Sequence, residues 1–281
     1  MSPSICMPEF EDHLPSPLAD RAVQRMPFDG VLTDTVAAEV PVALVFNGIS
    51  HAVMMATPQD LEAFALGFAL SEGILDTPQD CFGIEVHTTT VAAVQSVEVH
   101  LDIAARCFAR LKERRRSLAG ATGCGLCGVD SLQALDLAVP PMPQHAWVTQ
   151  LQAATVLRAL QAMPALQVLN ARCGSLHAAG WASPEGELLQ VMEDVGRHNA
   201  LDKLLGARAQ AGLLGEAGFI VMSSRASYEL VRKCARLQVR ALATISAPTD
   251  LAISIARGAG LQLWGLCRDP RAVLYTSLST S

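Results

Sequence analysis

Residues 219–266 read FIVMSSRASYELVRKCARLQVRALATISAPTDLAISIARGAGLQLWGL, and the fold class turns on them. Phe219–Met222, Ala241–Ile245 and Leu261–Leu266 are short apolar runs bounded by Ser, Arg, Pro and Gly, which reads as strands buried on both faces. Between them, Ser227–Leu237 and Asp250–Ala259 have helical spacing, with Thr249 just before the second. Working outward, Leu188–Met192 reads as a strand, Asn199–Gln210 as a helix and Leu151–Met163 as an amphipathic helix. Alternation of this kind predicts an α/β sheet with helices on both faces. Ligands of such sheets collect at the carboxyl ends of the strands. Those ends carry Glu193-Asp194, Ser223-Ser224-Arg225, Ser246–Thr249 and Cys267-Arg268. Arginines recurring at one sheet edge suit a phosphate-bearing ligand, although Ser, Thr and Asp there serve equally to cap the next helix.

Toward the N-terminus the pattern changes. Residues 1–30 are rich in Pro, Ser and acids without periodicity and read as a mobile tail. Val31–Glu39, Pro41–Phe46 and Ile49–Ala56 read as strands, with Asn47-Gly48 signalling a hairpin between the last two. Thr57-Pro58-Gln59-Asp60 reads as a helix start capped by Thr57, and Leu61, Phe64, Ala65 and Phe68 form its apolar face. Phe82–Val86 and Ser96–Leu101 are strand-like, and Ile103–Arg116 is a second helix. Residues 31–121 therefore form a small α+β domain, 122–130 a mobile cysteine loop, and 131–281 the α/β domain, joined through a proline-rich connection at Val139–Pro143.

Composition bounds the class. The 281 residues are 51% hydrophobic and 17% charged, a globular balance. No apolar run reaches the ~20 residues of a membrane span, and the first residues lack the pattern of a signal peptide, so a cytoplasmic location without membrane attachment is expected. A net charge of −6 argues against general nucleic-acid binding. Eight cysteines in such a chain should be mostly reduced. Cys81, Cys107 and Cys234 read as packing residues.

The loop Thr122–Asp130, TGCGLCGVD, sets Cys124 and Cys127 in a C-x-x-C spacing among Gly123, Gly125 and Gly128. Glycine at that density opposes a helix, at about 1 kcal/mol each relative to alanine. Half of a zinc site, a redox pair, a sulfur-carrying nucleophile and two unreactive thiols all remain open readings. No second C-x-x-C completes a zinc set, and no metal is expected. Lys112, Arg114, Arg115 and Arg116 lie just upstream. They either favour a thiolate or form the solvated end of a helix.

Several stretches together resemble one family, the formate dehydrogenase accessory sulfurtransferases known as FdhD. They are ATPQDLEAFALGFALSEGIL, TGCGLCG, HAAG, EDVGRHNALDKLLG, SSRASYELVRK, SAPTDLAISIA and GLCRDPR, in family order. The resemblance implies a chain that accepts persulfide sulfur from a cysteine desulfurase. It implies delivery of that sulfur to the bis-molybdopterin guanine dinucleotide cofactor of molybdenum, carried as cargo for formate dehydrogenase. The family's persulfide cysteine falls on Cys124 and its partner thiol on Cys127. Its cofactor segment, which would hold the guanine-nucleotide part, falls on Leu266, Cys267, Arg268, Asp269, Pro270 and Arg271. Leu266 stands where phenylalanine is common in the family, and Cys173 where a glycine is expected. A cytidine-deaminase-like α/β/α domain and a homodimer are implied as well. Arg197, His198 and Arg225 are further candidate contacts, with helix-capping or surface roles as the alternative.

Rival functions leave their own marks. A zinc deaminase needs H-x-E and P-C-x-x-C, but His177 is followed by Ala178 and Ala179, and the C-x-x-C follows Gly123. A binding-only chaperone that holds the cofactor without handling sulfur predicts full function without Cys124.

Overall fold

The computed structural model describes residues 13–27, 30–119, 140–143 and 145–276, with backbone alone at 114–119. β1 (Leu18–Gln24) and β2 (Val31–Ala37) form an antiparallel ribbon in register Leu18↔Ala37 to Gln24↔Val31. Residues 18–24 were expected within the tail. Their mixed, charged sequence forms a strand because the ladder to β2 satisfies the backbone while much of both strands stays solvent-exposed, so no apolar alternation is required.

β3 (Val40–Phe46) and β4 (Ile49–Ala56) make the hairpin expected at Asn47-Gly48, whose φ angles are 45° and 78°. The Asn47 side chain also closes two hydrogen bonds to Ile103, of 2.7 and 3.0 Å. β5 (Cys81–Val91) and β6 (Val94–Ile103) run longer than the sequence suggested. They turn at Ala92-Ala93, with φ of 50° and 64°, and alanine carries no turn signal. β6 pairs parallel to β3, which gives a four-stranded sheet of order β4-β3-β6-β5.

α1 (Leu61–Ser71) does not use Thr57 as its cap. Its N-cap is Asp60, at φ 55°, without a side-chain hydrogen bond, and Thr57 is fully buried in contacts described below. Nor does α1 bury a single stripe. Every residue of it except Glu62 is buried, because one side covers the four-stranded sheet and the other meets α6 (Arg197–Gln210). Gly67 and Gly206 allow this crossing. A Cβ on Gly67 would lie 2.8 Å from the Gly206 nitrogen and overlap the Asp202 carbonyl, while one on Gly206 would overlap that of Ala63. α2 (Ala105–Ala119) buries Cys107 and Leu111 in the same core.

α3 (Ala146–Gln150) and α4 (Ala153–Leu166) lead through the short α5 (Asn170–Cys173) into the larger sheet. That sheet comprises β7 (His177–Ala182), β8 (Leu188–Asp194), β9 (Phe219–Met222), β10 (Ala241–Thr244), β11 (Gln262–Arg268) and β12 (Arg271–Leu274), in the order β12-β11-β10-β9-β7-β8. β9, β10 and β11 are parallel, and α7 (Tyr228–Arg236) and α8 (Asp250–Ala259) cross between them. β7 and β12 were not expected as strands. β7 is His-Ala-Ala-Gly-Trp-Ala, poor in β-branched residues, yet a Cβ at Gly180 would press to 2.8 Å from Leu188 and 3.0 Å from Val221. Helices cover both faces, α4 one and α6, α7 and α8 the other, so the expected mixed α/β fold is present. The layers run four-stranded sheet, α1, then α6 with α7 and α8, six-stranded sheet, α4.

Candidate functional site

The parallel strands end together, so Ser223, Ile245 and Cys267-Arg268 meet at one edge of the six-stranded sheet. β7 runs antiparallel to β9 and β8 antiparallel to β7, which brings the start of β7 and the end of β8 to the same edge. His177 thereby pairs with Asp194, and Gly196-Arg197-His198 opens α6 beside them. Hydrogen bonds lace the edge: Ala178 N to Ser223 Oγ at 2.8 Å, Ser223 N to the Ala178 carbonyl at 3.0 Å, Ser246 N to the Ser224 carbonyl at 3.3 Å, and Leu266 N to the Ser246 carbonyl at 3.3 Å.

The segment Leu266–Arg271 is a hairpin projecting from this edge. Leu266 adopts φ 53°, the ladder shifts register between Gly265 and Arg268, and Arg268 pairs with Arg271 across Asp269-Pro270. Arg268, Asp269, Pro270 and Arg271 are exposed and Leu266 is half-buried. Cys267 turns inward, 2% exposed, into the core beneath α4, and burial pushes its thiol up to about 11. Burial likewise raises the thiols of Cys81 and Cys234. None of these three has the depressed pKa of a reactive thiol. Cys124 and Cys127 lie outside the described residues, as do their flanking glycines. Of the upstream basic run, Lys112 stacks over the Phe108 ring at 4.5 Å.

Positive groups gather at the start of α6. Burial, then the neighbouring Arg197, push His177 below its ordinary pKa, so the ring stays neutral at neutral pH. Arg197 Nε is buried and makes no hydrogen bond among the described residues. Arg225 is exposed at the end of β9. His198 is engaged on its outer side by Glu229, 2.8 Å away. Sequence reasoning had named Arg197, His198 and Arg225, but used His177 only to weigh the deaminase. HAAG was the available signal, and it lacked the strand that places His177 beside Arg197.

The rest of EDVGRHNALDK is structural. Glu193 accepts hydrogen bonds from the backbone of Leu169 (2.9 Å) and Asn170 (2.8 Å), fixing the start of α5. Asp194, fully buried, accepts from Thr57 N (3.0 Å), Gly196 N (2.8 Å) and Asn199 Nδ2 (2.9 Å). Its ion pair with the equally buried Lys203 spans 2.8 Å. Lys203 also donates to the carbonyls of Thr57 at 3.0 Å and Glu193 at 3.3 Å. One helical turn away from Asn199, Asp202 pairs with Lys233 at 2.6 Å and accepts from Ser71 Oγ at 2.7 Å. Lys233 and Arg232 then reach Glu72, at 3.0 and 2.6 Å. A cavity of about 360 Å³ between α1, α6 and α7 is lined by these groups with Met54, Phe68, Tyr228 and His198.

With this geometry in hand, comparison with known proteins is decisive. A sequence model described as the FdhD/NarQ family matches residues 37–280. The chain belongs to the FdhD/NarQ family. Among its relatives is the sulfur carrier protein FdhD of Burkholderia cenocepacia, 52% identical over 242 residues, covering 86% of this chain and 87% of that one. The sulfur carrier protein FdhD of Chromobacterium violaceum is 54% identical over 244 residues, covering 87% and 89%. The fold is shared with a crystal structure of a Desulfotalea psychrophila chain designated a formate dehydrogenase accessory protein. That match has a TM-score of 0.67 at 21% identity and covers 95% and 98% of the two chains. Among the described residues no helix is long and apolar enough to cross a membrane.

Proposed function

We propose that this chain is a sulfurtransferase that carries sulfur for formate dehydrogenase. Cys124 receives it as a persulfide from a cysteine desulfurase and delivers it to the bis-molybdopterin guanine dinucleotide cofactor. In the loading step the Cys124 thiolate attacks the terminal sulfur of the donor persulfide. A new S–S bond forms on Cys124, the donor's S–S bond breaks, and the donor leaves as a thiolate, with no net redox change. Cys127 lies within reach along the chain to resolve the persulfide or tune its neighbour.

The observation that carries the reading is kinship at about 50% identity with chains named sulfur carrier protein FdhD, over most of their length. The sheet edge supports it. Guanidinium groups bind phosphate through paired hydrogen bonds, and the start of α6 adds backbone N–H groups to Arg197, whose buried Nε has no partner among the described residues. Arg268 and Arg271, adjacent across the hairpin, offer two further guanidinium groups to the cofactor's pyrophosphate or guanine.

The test is mass spectrometry after incubation with a cysteine desulfurase and cysteine. One added sulfur is expected on the tryptic peptide holding Cys124, and none in Cys124→Ala, which should stay folded and fail to activate formate dehydrogenase. Full activation by Cys124→Ala would replace the carrier with a chaperone that only binds the cofactor.

A further inference from the structure

On the outer face of the four-stranded sheet, β5 and β6 bring together two histidines and two glutamates that the proposed sulfur chemistry does not use. Alternation sends Val86 and Val99 to the core side and leaves Glu85, His87, Glu98 and His100 on the other. The register sets Glu85 opposite His100 and His87 opposite Glu98, so the histidines occupy one diagonal and the glutamates the other. The rings meet edge to face, with centroids 5.1 Å apart and planes at 86°. Each Nε2 faces the carboxylate of its own strand, His87 to Glu85 at 3.3 Å and His100 to Glu98 at 2.8 Å. The rings are about two-thirds covered, at 34% and 37% exposure, while Glu85 is 76% exposed.

We propose that Glu85, His87, Glu98 and His100 form a binding site for a divalent transition-metal ion of the zinc class. Imidazole nitrogen suits zinc, copper and nickel, and carboxylates complete such sets or hold the rings in orientation. Two imidazoles on one tetrahedral ion, each bonded at about 2.0–2.1 Å, have centroids about 5 Å apart, which is the spacing already present. Rotation of the partly exposed rings about their side-chain torsions turns one nitrogen of each toward the shared ion. The ion then ties β5 to β6 near a hairpin whose turn is only Ala92-Ala93. Among the described residues the group whose ligand atoms already converge is Asp76, Asp80 and Cys107, whereas the four residues of β5 and β6 converge only once the rings turn; Arg110 and Arg106, however, already occupy the carboxylates of that first group. The site lies on a different sheet from His177 and gives no support to deaminase chemistry.

The experiment follows the histidine rings of the full-length, 15N-labelled chain by long-range 1H–15N spectra during zinc chloride addition to two equivalents, because the Cys124 and Cys127 thiols can take one. Ring resonances of His87 and His100 are expected to shift or exchange within that range. His87→Ala/His100→Ala should lose that uptake, with affinity at the site falling at least tenfold, and Glu98→Gln should weaken it less. Should the double variant unfold, His100→Gln alone gives the same readout. Unmoved His87 and His100 resonances at two equivalents, or equal zinc uptake by the variants, would overturn the proposal.

Discussion

Lys203→Met tests whether the most diagnostic motif of the chain serves the ligand or the frame. Lys203 and Asp194 are both fully buried and 2.8 Å apart. Removing the ammonium leaves the Asp194 carboxylate without its counter-ion and takes a donor from the carbonyls of Glu193 and of Thr57, the latter keeping its bond from Gln59 N at 2.8 Å. Breaking a buried ion pair on one side destabilises by about 3–5 kcal/mol, because the remaining charge stays uncompensated. At about 2–4 °C per kcal/mol for a domain of this order of size, the melting temperature should fall by about 6–20 °C. Methionine fills similar volume, so a cavity contributes little to that figure. Differential scanning calorimetry measures the fall, and guanidinium titration gives the free energy independently. Adding Asp194→Asn should recover part of the loss, since asparagine keeps the shape without the charge. A Lys203→Met protein within 1 kcal/mol of the parent would refute the reasoning and move Lys203 into the ligand site.

Gly206→Ala should destabilise by at least the ~1–3 kcal/mol of an overpacked core, although alanine in an isolated helix gains about 1 kcal/mol over glycine. The new Cβ meets the Ala63 backbone, which cannot swing away, and the urea midpoint gives the sign. Burial opposes ionisation of Glu72, but Lys233 and Arg232 outweigh it and hold the carboxyl at about 2 rather than 4.5. Because that folded value is depressed, the stabilisation is complete above about pH 4.5 and is lost as pH falls toward 2. It amounts to about 3 kcal/mol. Glu72→Gln should flatten the acid limb of the urea midpoint against pH, and an unchanged limb would remove Glu72 from the account. Arg268→Ala should weaken binding of GDP, taken as a cofactor fragment, by tenfold to a hundredfold, the effect of losing about 1.5–3 kcal/mol of charged hydrogen bonding. Calorimetry measures this, with persulfide loading at Cys124 unchanged, and equal affinity would move the guanine site toward Arg197 and Arg225.

The parts of the fold legible in the sequence were those whose local chemistry agreed with their tertiary setting. Ile49–Ala56, Phe219–Met222 and Asp250–Ala259 stand where periodicity and an Asn-Gly turn placed them. Thr57 shows how agreement fails. A threonine before a proline is a good local cap, but its amide and hydroxyl are taken by residues more than a hundred positions away, and its carbonyl is shared between Gln59 N and the distant Lys203. β7 was hidden for the opposite reason: its glycine records the closeness of Leu188 and Val221 on the two neighbouring strands rather than any strand propensity. At the edge, Arg197, His198 and Arg225 were visible as residue types. The meeting of Arg197 and His198 with His177 depends on the antiparallel turn of β7, which no single stretch encodes.

Thr57 also explains why two parts of different sequence character behave as one frame. Its amide holds Asp194 and its carbonyl holds Lys203, while Asn199 reaches back to the Met55 carbonyl at 2.8 Å. The end of β4 is thus bonded to the turn between β8 and α6, and that turn carries Arg197 and His198 to the sheet edge. Below it, Gly67 and Gly206 bring α1 and α6 into backbone contact, and Lys233 joins Ser71 to Asp202. A displacement of the four-stranded sheet therefore cannot leave the start of α6 in place without stranding buried charges. The acidic and lysine residues of EDVGRHNALDK hold the edge still, and the arginine and histidine between them are what the edge presents. The motif is specific because it does both within the end of β8 and the first two turns of α6: a substitution there either loosens the frame or changes the surface, and the two losses separate in a stability measurement.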